Sequence, residues 1–110
     1  MSLDIWLRCE HCDSKLGDDC LNITHNLNTM AKEAGIYDCL WRPDEHGIKY
    51  AEQMIATLQA GLVLLESDPE RFKKFNASNG WGLYPHLVEF ARRVLKECED
   101  HPRALVEVSR

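Results

Sequence analysis

The chain has 110 residues, 45% of them hydrophobic and 28% charged, which is typical of one globular domain and unlike a disordered chain. Its 18 acidic residues outnumber its 13 Lys and Arg residues and give a net charge of −5, which disfavours non-specific binding to nucleic acid. The N-terminal residues lack the features of a signal peptide, and the longest apolar-rich stretch, residues 60–65, is too short to cross a membrane. We therefore expect one domain, residues 1–110, in the cytoplasm.

The two ends of the chain share a pattern that is typical of β-strands. Residues 3–7 alternate apolar and polar side chains, and residues 104–109 do the same. A period of two predicts half-buried strands. Because the segments between them have helical periodicity, we predict an α+β fold. Its N- and C-terminal strands pair in one small sheet that packs on three to four helices.

The first helix is predicted from about Ile23 to Ala34. Apolar residues recur there at spacings of four, three and four, which marks one buried stripe. Gly35 follows directly, and a glycine at this position is a common helix end because it accepts the left-handed conformation.

A longer apolar seam runs from Ile48 to Leu65 with alternating spacings of three and four, and it predicts the second helix. This seam suits either the core of the domain or a dimer interface. Asp68 and Pro69 predict the N-cap and first position of a short third helix. After a loop at residues 76–82, a final helix is predicted over about 85–99 with buried Leu87, Phe90, Val94 and Cys98.

Opposite the stripe of the first predicted helix lies a row of uncharged polar side chains. At about 100° per residue, Asn22, His25, Asn26 and Thr29 share about one third of the helix circumference. Solvated helix faces usually consist of Lys, Glu and Gln, whereas Asn, His and Thr lower helix propensity. The row is therefore predicted either to contact a ligand or to cap the helix and bond to neighbouring loops.

Two loops carry tryptophan. Trp41 is followed by Arg42 and Pro43, and Trp81 lies between two glycines. Indole and guanidinium groups are common where proteins hold planar or anionic partners, so Trp41 and Trp81 could stack on a ligand while Arg42 meets its charge. In the alternative interpretation, both indoles cover the hydrophobic core.

The N-terminal cysteines have a spacing that resembles part of a zinc site. Cys9 and Cys12 form one Cys-x-x-Cys pair, and Cys20 with His25 or His11 could complete four ligands. A zinc site at His25 would remove that residue from the polar row, so the two hypotheses compete. The alternative is that the cysteines are reduced thiols without metal, and no other cofactor is predicted.

Motifs of catalysis are weak. The sequence contains no glycine-rich phosphate loop, nucleophile elbow or metalloprotease helix. Cys39 or Cys98 could act as a nucleophile only beside a histidine, and the acidic and imidazole groups of residues 44–46 are typical of a polar turn. No catalytic residue is predicted.

Several segments together resemble a family of small proteins encoded mostly by bacteriophages and prophages. They are NITHNL at 22–27, EAGIY at 33–37, LWRP at 40–43, FN at 75–76, NGWG at 79–82 and EVSR at 107–110. The resemblance covers most of the chain from residue 22 onward and excludes the cysteine-bearing segment. It implies no established activity or residue roles. It does imply a bacterial host cytoplasm, where small acidic phage proteins often counter host defence.

Three functions remain open at this point. The first is a non-enzymatic binding module that sequesters a nucleotide-derived signal in a pocket of a homo-oligomer. Its ligand-contacting residues are Asn22, His25, Asn26, Thr29, Trp41, Arg42 and Trp81. The second is a protein–protein interaction module that inhibits a host defence factor. The third is a small hydrolase or transferase that acts on a nucleotide signal.

Overall fold

The computed structural model describes residues 2–12, 14–17, 21–77, 80 and 82–110. Within these ranges the chain forms a four-stranded antiparallel sheet and five α-helices, which confirms the predicted α+β class. None of the helices in these ranges has the length and apolar character that crossing a membrane requires. The strands are β1 Ser2–Arg8, β2 Lys15–Leu16, β3 Asn22–Thr24 and β4 Leu105–Ser109, and the helices are α1 Asn28–Glu33, α2 Tyr37–Trp41, α3 Glu52–Ser67, α4 Pro69–Lys73 and α5 Tyr84–Asp100.

Strand β1 is the centre of the sheet. It pairs antiparallel with β4 along five residue pairs, from Asp4–Ser109 to Arg8–Leu105, so the predicted pairing of the two chain ends is confirmed. Its other edge is shared by β3, which pairs with residues 2–4, and β2, which pairs with residues 7–8. The segment just before α3 runs alongside the start of β4 and is hydrogen-bonded there. In this contact Val106 N–H donates to the Lys49 carbonyl (2.9 Å).

The sheet packs on helices through one face. Leu3, Ile5 and Leu7 of β1 are buried, whereas Asp4 between them is exposed and Trp6 is half-buried. Since residues paired across an antiparallel sheet point to the same side, the register places a row of polar side chains with Trp6 on the second face. We call this surface the open face; its residues are Ser2, Asp4, Trp6, Arg8, Lys15, Asn22, Thr24, Leu105, Glu107 and Ser109.

Helices α3 and α5 form the main helical contact. Leu58 and Leu65 of α3 and Leu87 and Val94 of α5 are buried, so the seam predicted from Ile48 to Leu65 belongs to the core of the domain. The interpretation of that seam as a dimer interface is wrong. Gly61 lets Ile36, which lies just before α2, approach α3 closely, because a Cβ at position 61 would overlap Ile36 Cγ2.

The first predicted helix is wrong over its first five residues. Residues 22–24 form β3, residues 25–27 form one 3₁₀ turn, and α1 begins at Asn28. Ile23 pairs with Leu3, and the Thr24 side chain accepts a hydrogen bond from Asn26 N–H (3.3 Å), which caps the turn. The apolar spacing suggested one continuous helix because residues of the strand and residues of the helix both bury their side chains in the same core.

The later helices agree closely with their patterns. Helix α4 starts at Pro69 as predicted, although the Asp68 side chain makes no capping hydrogen bond. Helix α5 buries all four predicted residues of its apolar stripe. A residue before α5 stabilises the first turn of this helix: the Asn76 side chain accepts a hydrogen bond from Tyr84 N–H (2.7 Å).

Candidate functional site

The uncharged polar row does not form one helix face. Asn22 lies in β3, His25 and Asn26 lie in the 3₁₀ turn, and Thr29 lies in α1. Asn22 Nδ2 donates to Asp4 Oδ1 (2.7 Å) and to Ser2 Oγ on the open face. The predicted row is therefore wrong as a single surface, because the strand turns Asn22 toward the sheet.

Trp41 is an interior residue. Its side chain is 2% exposed, and its indole N–H donates to His25 Nδ1 (2.9 Å). Its ring stacks on Tyr37 with a centroid separation of 5.4 Å and an interplanar angle of 12°. The prediction that Trp41 stacks on a ligand is therefore wrong, since burial leaves no accessible face.

Two arginines are engaged around Trp41. Arg42 donates to the Tyr37 hydroxyl (3.4 Å) and to Glu45 (3.1 Å), and the hydrogen bond to Tyr37 is the largest cause of its raised pKa. Arg110 Nη1 donates to the Trp41 carbonyl (3.0 Å) and to Asp44 Oδ1 (2.9 Å). The bond from Arg110 lowers the pKa of the Asp44 carboxyl. Arg42 thus has a structural role that competes with the predicted contact to an anion.

Gly82, just before α5, contacts the same segment from another side. Gly82 is buried with φ +123°, and a Cβ there would lie 3.1 Å from Asn26 Cβ and 3.3 Å from Thr24 Cγ2. Residues 24–27 therefore contact both the Trp41 region and the loop before α5. Trp81, the other predicted ligand-stacking residue, lies outside the described residues.

One predicted ligand-binding residue lines a cavity. Asn22 borders a cavity of about 220 Å³ together with His86, Glu89, Phe90 and Arg93. The cavity lies where β3 meets α5, and its lining includes an imidazole, a guanidinium and a carboxylate. Asn22 therefore lies beside a concave surface, whereas Trp41 lies in the interior and is not among the residues that line this cavity.

His25 does not join Cys9 and Cys12, two of the predicted zinc ligands. His25 follows Thr24, which pairs with Ser2, while Cys9 lies past the other end of β1, roughly 23 Å away at about 3.3 Å per residue. His25 therefore cannot complete a site with Cys9 and Cys12, and Cys20 lies outside the described residues. Across the described ranges, no three His, Cys, Asp or Glu side chains form a group that could hold a metal ion.

Sequence reasoning missed two residues, Trp6 of the open face and Arg110, that line a cavity along the β4 edge of the sheet. A cavity of about 430 Å³ is lined by Trp6 and Arg110 together with Pro43, Asp44, Ile48, Val106, Glu107 and Val108. The signal for Trp6 was present, because strict alternation along residues 3–7 puts the indole on the polar side of the strand. No local pattern could reveal that Arg110 lies against residues 41–44.

Several charged groups of this surface make specific contacts. Arg8 forms an ion pair with Glu107 across β1 and β4, and Lys15 Nζ lies 5.3 Å from the centre of the Trp6 ring. Arg110 and Asp44 close the neighbouring end of the cavity. The result is a polar surface of fixed charges around one half-buried indole.

The cysteines suggested as nucleophiles are buried. Burial is the largest cause that raises the pKa of the Cys39 and Cys98 thiols, in each case to about 12. A thiol with this pKa holds its proton at neutral pH, whereas the thiolate is the nucleophilic form. The acidic residues 44 and 45 and His46 lie in an exposed 3₁₀ turn, as their sequence indicates.

Comparison of the chain with protein-family models, with curated proteins and with solved structures finds no match.

Proposed function

We propose that this protein is a non-enzymatic interaction module that docks on another protein through its open face. The observation that carries the proposal is Trp6, a half-buried indole on a sheet surface that the helices leave uncovered, beside a cavity of about 430 Å³. Tryptophan is enriched among the residues that supply most of the binding energy at protein interfaces. An indole in this position has its ring available for a partner.

The surroundings of Trp6 suit a protein partner better than a small anion. Asp44 and Glu107 add negative charge to the cavity, and Arg110 is already bound to Asp44. An anionic ligand would have to displace that carboxylate. Paired charges around an apolar centre are instead typical of an interface, where a polar rim surrounds a buried anchor.

The resemblance to phage-encoded proteins supports a bacterial partner, and inhibition of a host defence factor is the role we assign. The interaction would act by occupying a surface of that factor. A second copy of this chain is the competing partner, because an open sheet face can also meet itself. Analytical ultracentrifugation of the purified protein separates these cases before any partner is sought.

The test places a photo-crosslinking amino acid on two surfaces in turn, expressed in the bacterial host. One variant carries it at Trp6, and the matched control carries it at Val63, which is 69% exposed on α3. We expect one adduct of defined mass from position 6 and none from position 63. Equal adducts from both positions, or none from either, would contradict the proposal.

A second variant measures the contribution of the indole. Trp6→Ala is expected to weaken the captured complex by at least about 30-fold, since an anchor residue contributes about 2 kcal/mol or more. Circular dichroism should show an unchanged fold, because the open face is not part of the core. Full retention of affinity by Trp6→Ala would place the interface elsewhere.

A small-molecule site at the cavity beside Asn22 is a second candidate. It is supported by the contact of residues 24–27 with both Trp41 and Gly82, which brings motifs from distant parts of the sequence to one place. The volume of about 220 Å³ suits part of a nucleotide-like molecule rather than the whole, since drug-sized pockets start at about 300 Å³.

Isothermal titration with cyclic nucleotides and ADP-ribose derivatives tests this second candidate. Heat that disappears in Asn22→Ala or Arg93→Ala and persists in Trp6→Ala would favour it over the interaction module. If the molecule released on denaturation is unaltered, the protein sequesters it; if a product is released, the hydrolase or transferase alternative is supported instead.

A further inference from the structure

The turn between the first two strands presents two cysteines at the surface. Cys9 N–H donates to the Ser14 carbonyl (2.7 Å), which closes the hairpin one residue beyond the last pair of β1 and β2. Cys9 is half-buried and Cys12 is exposed. We call residues 9–12 the thiol turn. Its position at a hairpin tip is fixed by strand pairing and does not depend on the open face.

The thiol turn wraps its backbone around one sulfur. Cys9 Sγ accepts hydrogen bonds from the N–H groups of both His11 and Cys12, each at 3.4 Å. The contact from Cys12 N–H brings the backbone of the second cysteine up to the sulfur of the first. Cysteine sulfur is a metal ligand, and the two cysteines share one short turn.

An adjacent cavity adds a partly apolar wall. A cavity of about 290 Å³ beside Cys9 is lined by three apolar residues, Leu16, Pro102 and Ala104, and by four polar ones, Glu10, His11, His101 and Arg103. Soft thiolate ligands select thiophilic ions such as monovalent copper and zinc.

We propose that the thiol turn binds one thiophilic metal ion through the sulfurs of Cys9 and Cys12. Monovalent copper is the ion that two cysteines suit best, because it prefers soft sulfur ligands and two of them complete a linear coordination. Zinc would use the same two sulfurs and take its other ligands from solvent or added small molecules. On binding, each thiol transfers its proton to solvent and each sulfur forms one bond to the metal, so no electron is transferred.

The other described cysteines do not compete for this ion. Cys39 and Cys98 lie in the core, and burial holds their thiols in the protonated form. This contrast gives an internal reference within one molecule. Under native conditions a thiol reagent should modify residues 9 and 12 readily and residues 39 and 98 only after unfolding.

The experiment titrates the full chain anaerobically with monovalent copper against a colorimetric chelator, and separately with zinc chloride observed by native mass spectrometry. We expect one metal ion per chain. Cys9→Ser and Cys12→Ser should each lower the affinity at least roughly 100-fold, the upper end of what losing a hydrogen-bond partner of a metal ligand costs. His11→Ala keeps the backbone N–H and removes the exposed imidazole, so it tests whether the two sulfurs bind the ion without a histidine ligand.

The outcomes separate the two ion types and the opposing result. Binding of either ion that is lost in both serine variants and kept in His11→Ala supports the proposal and identifies the ion. The proposal is overturned if neither ion binds at a one-to-one ratio, or if binding survives in the serine variants. Thermal melts of the metal-free serine variants check that the fold is intact, since both thiols lie at the surface.

Discussion

The junction around Trp41 and the open face around Trp6 use the same aromatic residue in two different ways. Trp41 is enclosed, with its N–H bonded to His25, its ring on Tyr37 and its carbonyl bonded to Arg110. Trp6 is half-buried among paired charges on an uncovered sheet surface. The local sequence favoured Trp41 as the binding residue because an arginine follows it. The comparison teaches that neighbouring residue types do not report whether a side chain is accessible.

The largest expected difference between the two regions is the effect on stability of truncating each indole. Trp41→Ala should destabilise the protein by about 3–5 kcal/mol, because it removes a buried aromatic ring and leaves a cavity. Trp6→Ala should cost less than about 1 kcal/mol, since its ring is outside the core. Urea unfolding of both variants measures the difference. Similar losses of unfolding free energy would mean that Trp6 is structural and would remove it from the proposed interface.

Gly82 tests how tightly the loop before α5 is seated on residues 24–27. Gly82→Ala should cost about 2–3 kcal/mol, because alanine is strained at φ +123° and its Cβ would crowd Asn26 and Thr24. Gly47→Ala is the matched control; its φ is +70° with no atom within 4 Å of the added Cβ, so about 1 kcal/mol is expected. Chemical denaturation compares the two. Equal costs would show that the loop adjusts and that the contact is loose.

The hydrogen bond between His25 and Trp41 can be measured by a double-mutant cycle. His25→Ala, Trp41→Phe and the double variant should give a coupling free energy of about 1 kcal/mol, the usual net value for such a bond. The control cycle pairs Trp41→Phe with Val63→Ala on the exposed side of α3, where additivity within about 0.5 kcal/mol is expected. Coupling near zero in the first cycle would show that the bond contributes no net stability.

The smallest expected effect is the acid dependence at Asp44. The bond from Arg110 holds the folded pKa of this carboxyl below its ordinary value of 3.8. The stabilisation is therefore present above pH 3.8 and is lost as the pH falls through the folded pKa. Melting temperatures of wild type and Asp44→Asn should differ near neutral pH and converge in acid. Arg110→Gln should show the same convergence, and a gap that persists at low pH would contradict this assignment.

Local sequence pattern was enough to predict the elements whose periodicity comes directly from burial in the core. A period of two at the chain ends predicted β1 and β4 and their pairing, and the apolar spacing over residues 87–98 predicted α5 with its buried residues. The spacings of three and four also predicted α3, although this helix begins at Glu52 rather than at Ile48, and Ile48 and Ile55 are half-buried. These predictions held because the side chains that define the period are the ones that fill the core. Gly35 likewise ends α1 with φ +78°.

Strand pairing and burial, which depend on contacts between distant parts of the chain, set the features that local patterns could not predict. Residues 22–24 became a strand because β1 offered them an edge to pair with, and this moved Asn22 onto the sheet and His25 beneath Trp41. It also placed His25 at the far end of β1 from Cys9, which no spacing along the chain reveals. Pairing partners and burial depend on residues far away in sequence, and for that reason the accessible indole proved to be Trp6 rather than Trp41.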